Sequence, residues 1–158
     1  MENISSFEID HTRLLPGIYV SRKDAIGSEI VTTFDLRVCR PNMEPVMATD
    51  EIHTIEHIAA TYLRNDPVWH DKVIYFGPMG CRTGFYLILA GDLNSLDIIR
   101  LVTECFKFIS NFEGEIPGAT AAGCGNYTDM NLYLAKTRAA EYYKLLTDAK
   151  VKNIIYPE

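Results

Sequence analysis

Residues 50–65 read DEIHTIEHIAATYLRN, and their pattern allows little besides an amphipathic helix. Ile52, Ile55, Ala59, Tyr62 and Leu63 recur at helical spacing and predict a stripe buried against a core. His53, Glu56 and His57 lie off that stripe, rotated from it by roughly 100° or more on helical geometry. Positions four apart differ by only about 40° around the axis, so the two imidazoles project side by side with the carboxylate one turn from the first. Such a helix is held to a core by one side and presents a titratable cluster on another. Thr49 is placed to cap it, Asp50 and Glu51 suit the positive end of its dipole, and Asn65-Asp66-Pro67 ends it.

The remaining segments predict what that helix packs against. SEIVTTFDLRV (28–38) alternates Thr32, Phe34, Leu36 and Val38 with Thr33, Asp35 and Arg37, the period of a strand, and Pro41 and Pro45 stop it. KVIYFG and GFYLILAG read as two strands joined by the turn-rich GPMGCRT, and SLDIIRLVTECFKFISNF as a helix capped by Ser95. GEIPGATAAGCGNY is a glycine-rich loop or short strand, and DMNLYLAKTRAAEYYKLLTDAK a long final helix. No repeat, linker or regular βαβ alternation divides residues 1–158. The expected fold is therefore α+β, a single compact domain with a mostly antiparallel sheet packed against helices, one of which bears H-x-x-E-H.

The formal charge of −6 argues against nucleic acid as a partner, because phosphate binding needs a basic footprint. FYLILAG is too short to cross a bilayer, so no membrane partner is expected, and MENISSFEID is too polar for a secretory signal. Cys39, Cys81, Cys105 and Cys124 show no paired spacing and read as reduced thiols of a cytoplasmic protein.

Two imidazoles at i, i+4 reach one first-row metal ion without bending the backbone, and the adjacent carboxylate can move protons at that ion. Without a metal the same residues are a solvated helix face. The H-x-x-E-H word is also that of inverzincin metallopeptidases, whose third ligand is a downstream carboxylate, and several acidic residues here could serve. Cys124, between Gly123 and Gly125, is a second kind of third ligand: a sulfur that neighbouring side chains leave unhindered. A His2Cys site with an open fourth position is catalytic in type. Cys105, in an apolar run, reads as structural. Cys81 sits in a tight glycine turn and is followed by Arg82, two features that favour thiolate.

SSFEIDHT at 5–12, DLR at 35–37, HTIEH at 53–57, GPMGCRTGFYL at 77–87 and GCGNY at 123–127 together resemble the S-ribosylhomocysteine lyase (LuxS) family, in order and over nearly the whole chain. The resemblance implies that His53, His57 and Cys124 hold one divalent ion per subunit, Fe2+ natively and often Zn2+ as isolated. It implies Glu56 and Cys81 as the acid–base pair, and Ser6, His11 and Arg37 as contacts to the substrate, S-ribosylhomocysteine. It further implies a homodimer with shared active sites, and a product that is the precursor of autoinducer-2 in quorum sensing. His70 matches no functional position. Many members carry Asp-Ile-Ser before Pro-Met-Gly-Cys where this chain has Tyr75-Phe76-Gly77, so no contact is carried over from that aspartate.

Overall fold

A computed structural model describes residues 5–157; of Ser5 and Ser6 it describes the backbone alone. After a single helical turn, α1 (Ser5–Glu8), come β1 (Gly17–Ile26), β2 (Glu29–Arg37), α2 (Thr49–Arg64), β3 (Val73–Pro78), β4 (Gly84–Ala90), α3 (Ser95–Ser110) and α4 (Leu132–Thr147). A 3-10 turn, Val151–Asn153, leads into the C-terminal segment. The four strands form one antiparallel sheet in the order β1-β2-β4-β3, as the α+β reading expects.

Alternation along the strands decides what each face of the sheet does. Ile18, Phe34, Leu36, Phe85 and Leu87 point into one core with Ile52, Ile55 and Ile58 of α2 and with residues of α3 and α4. Each such side chain contributes roughly 1.5–3 kcal/mol on burial. The register pairs Asp35 with both Tyr19 and Tyr86, so these three residues share the opposite face. The predicted stripe of α2 is buried at Ile52, Ile55, Ala59 and Leu63; Tyr62 is half-buried and Ile58 joins the stripe instead.

Two expected caps shift, and one strand goes unsignalled in the sequence. β1 carried no strand signal that stood out, because its second half is polar and exposed. Thr49 is the first residue of α2 and not its cap; the Glu51 carboxylate instead accepts the Ala48 N–H at 3.0 Å. Asn94 takes the cap position of α3 expected of Ser95, whose hydroxyl donates to the Ile154 carbonyl at 3.2 Å. The segment between α3 and α4 holds no strand and is a string of turns.

Candidate metal centre and acid–base groups

α2 lays His53 and His57 side by side, with ring centroids 4.7 Å apart and the Nε2 atoms separated by 3.1 Å. The turn segment carries Cys124 across 71 residues of sequence to place its Sγ 3.4 Å from His53 Nε2. The ligand atoms of His53, His57 and Cys124 all lie within 4.8 Å of one another.

Backbone carbonyls set which ring nitrogen faces this point. His53 Nδ1 is 3.0 Å from the Asp129 oxygen and His57 Nδ1 is 2.7 Å from the Pro117 oxygen. A carbonyl only accepts, so each Nδ1 is the N–H donor, and in a neutral imidazole the lone pair is then on Nε2. Two lone pairs and a sulfur therefore converge. Bond lengths of about 2.0 Å to nitrogen and 2.3 Å to sulfur, at tetrahedral angles, put such atoms roughly 3.3 and 3.6 Å apart. The 3.1 and 3.4 Å found here are close to those spacings, and with all three ligand atoms within 4.8 Å of one another the group is a candidate site for a metal ion.

The loop that delivers Cys124 is closed by its own backbone. Cys124 N–H donates to the Thr120 carbonyl at 2.9 Å, and the Asn126 N–H donates to the sulfur at 3.4 Å. A Cβ on Gly123 would stand 2.8 Å from the Gly118 carbonyl oxygen, so only glycine fits at that crossing. Gly118 adopts a left-handed φ of 69°, and a Cβ there would lie against the His57 ring at 3.5 Å.

Asn131 pins the other end of the loop. Its amide donates to Asp50 Oδ2 at 3.0 Å, its side-chain oxygen accepts from the Leu134 N–H at 3.1 Å, and its own N–H donates to Thr54 Oγ1 at 2.8 Å. The N-terminus of α4 is thereby clipped to the first turns of α2, two residues from the carbonyl that holds His53.

Glu56 is half-buried on α2, and its carboxylate has no hydrogen-bond or ion-pair partner among the described residues.

Cys81 lies in the β3–β4 turn, exposed, with its sulfur 3.1 Å from Thr83 Oγ1 and 3.8 Å from Arg37 Nη1. Partial burial pushes this thiol up, but the Thr83 hydroxyl and N–H and then the Arg37 guanidinium outweigh it and hold the thiol below its ordinary range. The cation is not the adjacent Arg82, whose guanidinium donates to the Met47 carbonyl at 3.3 Å. Arg82 adopts a left-handed φ of 57°, and its carbonyl accepts the Met47 N–H at 3.1 Å, so contacts to one residue on both sides keep the turn in shape. Cys39 and Cys105 differ from Cys81: both are buried, and burial raises both thiols.

Arg37 is 3 % exposed. Its Nε and Nη2 donate to the two oxygens of Asp35 at 3.1 and 2.6 Å, which leaves Nη1 for Thr83 Oγ1 at 2.6 Å. His11 is half-buried with Nδ1 2.8 Å from the Ile9 carbonyl oxygen, and the Ser6 side chain lies outside the described residues. His70 is exposed, with Nδ1 2.9 Å from the Asp66 carbonyl oxygen. Asp35, Asn131 and the carbonyls of Pro117 and Asp129 escaped sequence reasoning. Asp35, two residues before Arg37 on the same strand face, was the one that alternation could have supplied.

Residues 4–153 match the family model described as S-Ribosylhomocysteinase (LuxS). The chain is 60% identical over 158 residues to the S-ribosylhomocysteine lyase of Finegoldia magna, with 100% of each chain covered. It is 58% identical over 158 residues to the protein of the same name from Clostridium beijerinckii (99% of each). To that of Borreliella burgdorferi it is 54% identical over 157 residues, 99% of this chain and 100% of the relative.

Proposed function

The chain belongs to the S-ribosylhomocysteinase (LuxS) family, and on that premise we propose that it cleaves the thioether of S-ribosylhomocysteine to homocysteine and 4,5-dihydroxy-2,3-pentanedione. The observation that carries this reading is the convergence of two imidazole lone pairs and the Cys124 sulfur beside an unengaged glutamate. A metallopeptidase of the H-x-x-E-H kind needs a carboxylate as third ligand, and among the described residues none joins this group.

A divalent ion held by His53, His57 and Cys124, ferrous iron in our reading, supplies Lewis-acid polarisation of the sugar's carbonyl and hydroxyl oxygens. The chemistry left to the protein is proton transfer. A thioether leaves only when a carbanion forms beside the carbon bearing sulfur, so the carbonyl of the opened sugar must first migrate from carbon 1 to carbon 3. The Cys81 thiolate takes the proton from carbon 2 and returns it to carbon 1. Glu56 then moves a proton from carbon 3 to carbon 2, and removes the carbon 4 proton as homocysteine thiolate departs from carbon 5. Each such acid–base contribution is typically worth about 10²–10⁴ in rate. Ser6, His11 and Arg37 are assigned to holding the substrate; for Arg37, Nη1 is the part that faces the Cys81 side.

The functional unit is proposed to be a homodimer. Membership of the family is what supports this reading, in which the N-terminal arm of one subunit completes the pocket of the other. No helix among the described residues is long and apolar enough to cross a membrane. The four unbridged thiols support a reducing compartment, and the cytoplasm is the proposed location. The product is the precursor of a diffusible signal in this reading.

The test is anaerobic: iron-loaded protein is mixed with S-ribosylhomocysteine and the free thiol is followed with a thiol-reactive dye. Steady release that disappears in Cys81→Ala supports the lyase. No release from folded, metal-loaded protein overturns it.

A further inference from the structure

The C-terminal segment crosses the sheet face opposite the helices and ends on the charge that orients Arg37. It is tied down in steps: Asn153 Nδ2 donates to the Pro16 carbonyl at 2.8 Å, the Tyr19 hydroxyl donates to the Lys152 carbonyl at 3.0 Å, and the Ser95 hydroxyl holds Ile154. Tyr156 then stacks on Tyr19, with centroids 4.7 Å apart and planes within 7°, and its hydroxyl donates to Asp35 Oδ2 at 3.0 Å. Asp35 is 1 % exposed, and the oxygen that receives the phenol is the one that receives Arg37 Nη2 at 2.6 Å.

We infer that Tyr156 is a positioning residue for Cys81, acting through Asp35 and Arg37. The inference rests on the reading of Cys81 as a proton carrier. A carboxylate paired to a guanidinium over both oxygens withdraws most of its positive field. A second donor on Oδ2 shares that anion and leaves more of the guanidinium's charge to act through Nη1, which the pairing of Nε and Nη2 already directs to Thr83 and the sulfur. Deleting the phenol hydroxyl returns the whole carboxylate to Arg37 and weakens the attraction at Cys81. The surrounding groups do not replace it. The phenols of Tyr19 on β1, Tyr86 on β4 and Tyr142 on α4 are all raised, first by burial and then by Asp35, and so stay neutral. Arg22 faces Tyr86, and on β1 it pairs with Asp24 at 2.9 Å; Ser21 is the other β1 group beside Tyr156.

Tyr156→Phe keeps the ring stacked on Tyr19 and removes only the hydroxyl. The full-length, metal-loaded chain is alkylated with iodoacetamide across a pH series, and modification of Cys81 is read by peptide mass spectrometry, separately from Cys124. The expected result is a midpoint moved to higher pH, with the rate below the midpoint lowered roughly two- to ten-fold, the effect of one hydrogen bond relayed through a charge pair. In turnover, kcat falls and KM is little changed. In an Arg37→Ala background the same substitution leaves the profile where it was, because the route to Cys81 is already cut. Superimposable profiles for the native chain and Tyr156→Phe overturn the inference. So does an equal shift with and without Arg37. If Tyr156→Phe shifts the profile while Cys81→Ala retains turnover, the acid–base reading fails and takes with it the function assigned to the relay. Should Tyr156→Phe lose its fold by circular dichroism, 3-fluorotyrosine at position 156 keeps both the ring and the hydroxyl and strengthens the donor; the midpoint should then move to lower pH, and an unmoved midpoint overturns the inference.

Discussion

Asn131→Ala tests whether the clip between α4 and α2 holds the metal centre in shape. The side chain does two jobs at once: it caps α4 through the Leu134 N–H at 3.1 Å and binds the Asp50 carboxylate at 3.0 Å. Loss of a cap costs about 0.5–2 kcal/mol. A half-buried hydrogen bond to a charged group contributes about 1.5–3 kcal/mol. Because the two jobs share one side chain they overlap, and the expected loss is about 2–4 kcal/mol, a fall in Tm on the order of 10 °C for a domain of this size. The same change frees the segment whose Asp129 carbonyl fixes His53, and loosening a partner of that kind weakens metal binding about 10–100-fold. Denaturant melts of the chelator-treated chain give the first number, and competition with a fluorescent zinc chelator gives the second. Asn131→Ser separates the contributions, since a serine still caps the helix but is too short to reach Asp50. It should recover much of the stability and little of the metal affinity. If Asn131→Ala binds zinc like the native chain, the clip is structural only and the reasoning is refuted.

Glu56→Gln should lower kcat about 10²–10⁴-fold while zinc affinity by the same competition stays within a few-fold, because the carboxylate is not one of the converging ligand atoms. Gly123→Ala should open the turn that carries Cys124, since the new methyl meets a carbonyl at 2.8 Å; zinc binding should weaken about tenfold or more, read by the same chelator. Arg37→Met strips a charge partner from Asp35, both side chains being 3 % exposed or less, and should cost about 3–5 kcal/mol in denaturant melts. In the native chain Cys81 should be alkylated at pH 7 faster than an unperturbed thiol, and lose that advantage as pH falls through its lowered midpoint; rates equal to those of a small thiol would contradict the environment described for it.

What could be read from residues in order was whatever a local period expresses. The stripe of α2, the side-by-side placement of His53 and His57, the alternation of β2 and the glycines around Cys124 are properties of a few turns or a few residues of chain. They reach the fold class and the paired imidazoles because helix and strand geometry is the same in every protein; that Cys124 joins them followed from the family resemblance, and the structure brings the three together as a candidate metal group. Arg37 marks where that reach ends. On its strand it reads as an exposed charge, yet it is buried, because the sheet sets it beside Asp35 and against Thr83, 46 residues away. The strand β1, half of it polar, exists because β2 offers it a row of hydrogen-bonding groups. Likewise the cation beside Cys81 is Arg37 and not its neighbour Arg82, and the carbonyls that orient the imidazoles come from 60 and 76 residues downstream. Pairings of that kind follow from how layers stack and from the need of each buried polar group for a partner, and no period in the sequence records them.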